Sequence, residues 1–269
     1  MVKRGNELRE VKPFLTKKSQ ITLFIIVAIL IVAVIILFFL LRGKEVTDII
    51  RPEMPDPNRE VRQCVEDNVR KAVDFMLPQG GYVNVSNYKL YNGEKVEYLC
   101  YTNQYYYPCI NQKPMYIQSL EAEIHDYVRP RIKKCFNSLI DEYRGKGYEV
   151  GEEPLKLKVG LRPKQIEVGV KKDLSLSKGE KSIQFKEGRY GINSPLYNLA
   201  VVAQEITSQE AKFCNFEYIG YALFYPSFEI EKDQVGFGET TSDIYKIKDK
   251  NTGKTLNIAI RSCAMPGGL

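Results

Sequence analysis

Cys64, Cys100, Cys109, Cys135, Cys214 and Cys263 are the side chains of this 269-residue chain with the plainest chemical potential. Thiolates ligate zinc, attack disulfides or form them. Zinc sites pair cysteines at Cys-x-x-Cys spacing, which occurs nowhere here, and the only histidine is His125. Disulfides fit better, and of the many pairings that six cysteines allow, local sequence favours one. Cys100 and Cys109 bracket Tyr101-Thr102-Asn103-Gln104-Tyr105-Tyr106-Tyr107-Pro108, which can fold back as a hairpin with its ends adjacent. Cys64 and Cys135 each fall on the apolar side of a predicted helix, which leaves Cys214 for Cys263. In the order 100–109, 64–135 and 214–263, closing these loops stabilises by roughly 2.7, 4.4 and 4.1 kcal/mol as upper values. The cysteines imply an oxidising compartment.

No catalytic signature accompanies them. A histidine triad would have to use His125, which lies between Ile124 and Asp126 in a predicted helix and reads as a surface or packing residue. Glu121, Glu123, Asp126, Glu152, Glu153, Glu205 and Glu210 are the carboxylates that could meet as the acid–base pair of a hydrolase. Acidic helix faces more commonly just meet solvent. Gly236-Phe237-Gly238 lacks the following helix of a phosphate-binding loop, and Gly253-Lys254-Thr255 lacks its upstream glycine. No cofactor and no metal are expected.

Tyrosine is the better guide to a surface. Nine tyrosines lie between Tyr82 and Tyr116, among them the run Tyr105-Tyr106-Tyr107. Successive side chains on a strand point to opposite faces, so all three rings cannot share one core. At least one is expected to face water or a partner, and Tyr105, Tyr106 and Tyr107 form the candidate binding surface. Tyrosine supplies rigid contact area with a hydrogen-bonding tip. The alternative is that tyrosine simply favours strands and packs against helices.

The element that must place all of this is the apolar run from Ile21 to Leu41, 21 residues without a charge. At about 1.5 Å per residue it matches a bilayer core of about 30 Å. Residues 21–41 are therefore predicted to be a transmembrane helix. Phe38-Phe39-Leu40-Leu41 runs straight into Arg42, without the small-residue site of a cleaved signal. Before the run, residues 1–20 form a basic tail in which Lys3, Arg4, Arg9, Lys12, Lys17 and Lys18 outnumber Glu7 and Glu10. That bias predicts a cytoplasmic N-terminus and an extracytoplasmic remainder. Of the net charge of +6, the first 41 residues hold +4, leaving +2 for the rest. So nearly neutral a domain suggests no nucleic acid partner, and the basic tail suits anionic membrane lipid.

Residues 42–58, with Pro52, Pro55 and Pro57, read as a stalk, and 59–269 as the folded domain. Asp56 can cap a helix with Pro57 at its first position, continued by Val61, Val65, Val69, Ala72 and Met76. Asn92-Gly93 marks a hairpin turn. A second helix is expected from near Ser119 to Gly145, bent or restarted at Pro130. Alternation over Leu155–Leu161 and Ile166–Val170, with short strands at Leu174–Leu176 and Ile183–Phe185, predicts an antiparallel meander. A third helix should start at Ser194-Pro195, and a last hairpin should pair Ile244–Ile247 with Leu256–Ile260. The expected fold class is α+β: one transmembrane helix, then about three helices packed on antiparallel sheet.

Lys17-Lys18-Ser19-Gln20-Ile21-Thr22-Leu23-Phe24 resembles the class III signal of archaeal type IV pilin-like proteins, in which processing falls between a small residue and Gln. The resemblance implies processing at Ser19 and Gln20. Ser19 stands where Gly or Ala is usual, and Phe24 replaces the Glu typical of pilins. More broadly, a cysteine-bearing helix leading into Gln79-Gly80-Gly81-Tyr82, a tyrosine-rich hairpin and a long helix bearing Cys135 resemble a group of single-pass envelope proteins of small-genome archaea. That likeness implies an extracytoplasmic, disulfide-bonded domain and brings no activity with it. The expected role is binding or envelope assembly at the cell membrane, with another envelope protein or a second copy as partner. A pilin-like filament subunit and a membrane-tethered hydrolase using carboxylates are the alternatives.

Overall fold

The computed structural model describes residues 17–45 and 56–264; the first sixteen residues, residues 46–55 of the stalk and the last five lie outside the described residues. The chain separates into two compact units between Pro55 and Asp56. The first contains helix α1 (Lys17–Glu45), which begins and ends beyond the predicted span and takes in the backbone of Ser19 and Gln20. The stalk expected at 42–58 therefore loses both ends, to α1 and to the helix that starts at Pro57. Side chains of α1 are described over 24–38, and all of them are exposed. None is polar. Taken over the described residues, no helix is long and apolar enough to cross a membrane, and the expected span 21–41 extends past the described side chains at both ends.

The second unit opens with α2 (Pro57–Met76), capped by Asp56, whose Oδ1 accepts from the backbone N–H groups of Asn58 at 3.0 Å and Arg59 at 3.4 Å. Its buried stripe, Val61, Val65, Val69, Ala72, Val73 and Met76, follows the helical period. Gly80 and Gly81 then take positive φ, and a Cβ on Gly81 would stand 2.3 Å from Leu120 Cδ2. Tyr116 donates to the Gly80 carbonyl at 2.8 Å, so the Gly-Gly turn is where α2 hands the chain over beneath the next helix. Strands β1 (Tyr88–Tyr91) and β2 (Glu94–Tyr101) pair antiparallel around Asn92 and Gly93, at φ 50° and 86°. Both central residues being left-handed makes the tight hairpin turn that the dipeptide predicts.

After β3 (Ile110–Asn111), α3 (Tyr116–Gly145) runs unbroken through Pro130. The helix does not restart, for a physical reason: Pro130 and Asp126, whose carbonyl loses its intrahelical donor, both lie on the exposed face, where water can satisfy that carbonyl. Next come β4 (Glu149–Glu152), β5 (Lys156–Arg162), β6 (Gln165–Lys178) and β7 (Lys181–Asn193). The two short strands predicted at 174–176 and 183–185 are parts of β6 and β7. At Lys171-Lys172-Asp173 a bulge keeps β6 continuous, with the buried Lys172 ammonium satisfied by Glu152 at 2.7 Å and the Glu153 carbonyl at 2.8 Å. Helix α4 (Leu196–Phe213) is followed by α5 (Tyr218–Phe224), β8 (Phe228–Val235), β9 (Ser242–Asp249) and β10 (Thr255–Arg261).

Two sheets result. The second, β4 to β7, is antiparallel as expected, with β5 and β4 pairing successive parts of β6 and β7 pairing it along its length. The first has the order β1-β2-β10-β9-β8, with β3 also on β2, and it corrects the antiparallel expectation because β10 runs parallel to β2. Three helices were expected in this unit and a fourth, α5, is present; α2, α3 and α4 are the anticipated ones. The fold is thus α+β on mixed sheets. The main core joins Val65, Ile132 and Phe136 of the helices to Val168 and Phe185 of one sheet and Ile247 and Ile258 of the other, with a smaller cluster of Val96, Tyr98, Ile244 and Ala259 on the first sheet.

The disulfides join Cys64 to Cys135, Cys100 to Cys109 and Cys214 to Cys263, with Cα separations of 6.5, 5.4 and 5.6 Å. This is the pairing the sequence favours. The first clamps α2 to α3.

Candidate interaction surface

The segment between Cys100 and Cys109 leaves β2 at Tyr101 and does not continue as a strand. Tyr105 and Tyr106 occupy a turn and Tyr107 a bend, so alternation on a strand is not what exposes the rings. The turn itself does so. Tyr106 takes φ 60°, a left-handed backbone that is uncommon for a side chain of this size. Tyr106 and Tyr107 are 54% and 61% exposed, whereas Tyr105 is half-buried. Ile110 and Met115, just beyond the disulfide, are also exposed.

This loop is fastened along the chain that leaves β10. Tyr106 N–H donates to the Ala264 carbonyl at 3.2 Å, and Cys263 N–H donates to the Tyr107 carbonyl at 2.9 Å. Thr102 N–H donates to the Arg261 carbonyl at 3.0 Å, and the Arg261 guanidinium donates back to the Thr102 carbonyl. Cys109 N–H reaches Ser262 Oγ at 3.2 Å, and that hydroxyl donates to the Glu210 carbonyl of α4 at 3.0 Å. With Cys263 bridged to Cys214, the loop, the end of β10 and the end of α4 are locked together. Exposed aromatic area is thereby held on a rigid base, which lowers the entropy lost when a partner covers it.

Behind the base lies a buried polar cluster, of which the sequence singled out only Glu210, as one of the carboxylates that could pair. Glu210 is fully buried on α4, where it accepts from the Tyr245 hydroxyl and pairs with Lys232 at 3.4 Å. Lys232 also meets Asp243 at 3.0 Å. Glu210 Oε2 has no hydrogen-bond partner among the described residues. Burial draws the Lys232 ammonium down, but the carboxylates of Asp243 and Glu210 outweigh it and hold the group raised. Burial first, then the bond to Glu210, drives the Tyr245 phenol well up. One signal was present in the sequence: Glu210 follows Ala203, Ile206 and Thr207 at the spacing of the buried face of α4.

The other carboxylates mostly serve structure. Glu121 accepts from Leu161 N–H and Glu123 from Val83 N–H, each at 2.8 Å, and Asp126 contacts His125 at 2.9 Å. Glu205 accepts from Gln209 at 2.8 Å. Glu152 and Glu153 line a groove of about 310 Å³ beside the β6 bulge, together with Asp173 and Lys186. Glu152 is already paired there with Lys172. Among the described residues no three metal-ligating side chains are grouped to hold an ion.

No protein-family model, curated protein or solved structure matches this chain. Its surface chemistry is therefore the guide to what it does.

The buried tyrosines give an alkaline signature. Tyr116 and Tyr245 are at most 1% exposed, and burial raises both above the ordinary 10.0. In the unfolded chain both ionise above that value while the folded unit keeps them neutral, so they stabilise below it and the stability is lost as pH rises. The loss should be about 3 kcal/mol per pH unit for the two together. Denaturant midpoints followed from neutral to strongly alkaline pH check this, and a flat profile would mean that the rings ionise within the fold.

Proposed function

We propose that the chain is a membrane-anchored extracytoplasmic protein that binds, or helps assemble, components of a cell envelope. The reading is carried by Tyr106 and Tyr107, held outward by the Cys100–Cys109 bridge and by backbone bonds to Cys263 and Ala264. Desolvated aromatic anchors ringed by other apolar groups are what the centre of a protein interface uses, here with Ile110 and Met115 beside them. Three disulfides support an oxidising, extracytoplasmic setting. The uncharged run in α1, preceded by a basic tail, supports a single membrane anchor with a cytoplasmic N-terminus. The partners proposed are membrane lipid for the anchor and another envelope protein, or a second copy, for the tyrosine loop.

The test uses the full chain in its native membrane, with a photo-crosslinking residue at Tyr107. A specific adduct should form, and external protease should digest the folded unit on intact cells. Tyr106→Asn should weaken adduct formation by at least tenfold, as expected for an interface tyrosine contributing about 2 kcal/mol. Its unfolding midpoint should hold or rise slightly, because Asn tolerates the left-handed backbone better. An adduct indifferent to Tyr106→Asn, or a unit protected from protease, would count against the reading.

A pilin-like filament subunit is the second reading, favoured by Lys17-Lys18-Ser19-Gln20 ahead of the apolar helix. A mature chain beginning at Gln20 would select it.

A further inference from the structure

Helix α5 has its polarity reversed. None of its residues is buried, and its inner side packs through the rings of Tyr218 and Tyr221, the latter 5.3 Å from the ring of buried Phe216. Its outer side carries Ile219, Leu223 and Phe224, at 61%, 79% and 85% exposed. Tyr225 and the preceding Phe213 are exposed as well, and Lys212 lies over the Phe213 ring at 4.8 Å. Between Tyr218 and Ser227 there is no charged residue. Tyrosines at the base, aliphatic and phenyl groups at the tip and a lysine at the rim match a segment that lies in the interfacial layer of a bilayer.

We infer that α5 and Phe213 form a lipid-docking surface, by which the folded unit seats on the outer leaflet of its own membrane. The inference rests on the anchored reading above. Lipid is favoured over a protein occupant because only residues 46–55 separate the two described stretches, and ten residues reach at most about 35 Å. A chain anchored through α1 therefore keeps the folded unit tethered near lipid, so the bilayer is offered to this charge-free patch at a high effective concentration. The patch carries Lys212 and Glu217 in balance, so insertion of apolar groups, not attraction to anionic headgroups, drives the docking.

The chain contains no tryptophan, so a single introduced tryptophan reports its own surroundings without background. Leu223→Trp and Phe224→Trp, each in the full chain reconstituted in vesicles, should show blue-shifted emission that is quenched when the lipids carry bromine on their acyl chains. Leu90→Trp on β1, an exposed apolar position outside the α5 patch, should be neither shifted nor quenched. Ile31→Trp in α1 reports the anchor separately. Quenching at position 31 with water-like emission at 223 and 224 overturns the docking surface alone, and absence of quenching at 31 overturns the anchored reading. Blue-shifted but unquenched emission at 223 and 224 also overturns the proposal, because the cover would then be protein.

Discussion

Replacing Cys64 and Cys135 together by alanine is expected to cost the folded unit about 4 kcal/mol, an upper value set by a loop spanning 71 positions. The bridge clamps α2 to α3, and both helices present continuous apolar stripes, so the native packing survives its loss. What changes is the unfolded chain, which gains the freedom the crosslink withheld. For a unit of this size the melting temperature should fall by roughly 8–16 °C. The matching Cys100 and Cys109 double replacement opens a loop spanning only 9 positions and should cost about 2.7 kcal/mol at most. Denaturant unfolding of the two double variants decides between accounts. A larger loss from the short loop would mean that Cys100–Cys109 acts through the native tyrosine turn, not through chain entropy.

Lys232→Met should cost a comparable amount, about 3–5 kcal/mol, the usual penalty for removing one partner of a buried ion pair. Glu210 has a side chain only 1% exposed, and Lys232 is its one cationic partner among the ion pairs of the described residues. Removing the ammonium leaves a buried carboxylate with the Tyr245 hydroxyl alone, and strips Asp243 of its ion pair too. In the Glu210→Leu background the same Lys232→Met change should cost far less, because the stranded charge is gone. A double-mutant cycle by chemical denaturation measures that coupling. A Lys232→Met cost below about 0.5 kcal/mol would place the pair with ordinary surface contacts.

Local chemistry was legible in the sequence and long-range strand pairing was not. Asp56 with Pro57, Asn92 with Gly93 and the β9–β10 hairpin were readable because each is decided by residues a few positions apart. The disulfides were readable from helix faces and one short spacing. Strand β8 escaped because Glu229, Glu231, Lys232 and Asp233 interrupt its alternation, and only Ile230 is buried along it. Helix α5 escaped because its seven residues carry an apolar outer face, the opposite of the pattern by which a surface helix is recognised. That at least one ring of Tyr105, Tyr106 and Tyr107 faces outward was anticipated, but on strand geometry where a turn is responsible, and which rings they are was not. The lock between that turn and Ala264 joins residues more than 150 positions apart, and nothing in either segment signals the other.

The parallel pairing of β2 with β10 bears on how the protein is made. Strand β10 fills the slot between β2 and β9, so the first sheet has no centre until residue 261 has emerged. A chain delivered from its N-terminus can form the second sheet and the α2–α3 pair early, from neighbours in sequence, while β2 waits with an open edge. During that interval Cys214 has no Cys263, and the tyrosine loop has no floor. Biogenesis thus ends with a single late insertion that completes the sheet, permits the last disulfide and seats the loop together. Truncated or stalled chains, lacking that strand, would present two unpaired edges to any protease or holdase that surveys the compartment.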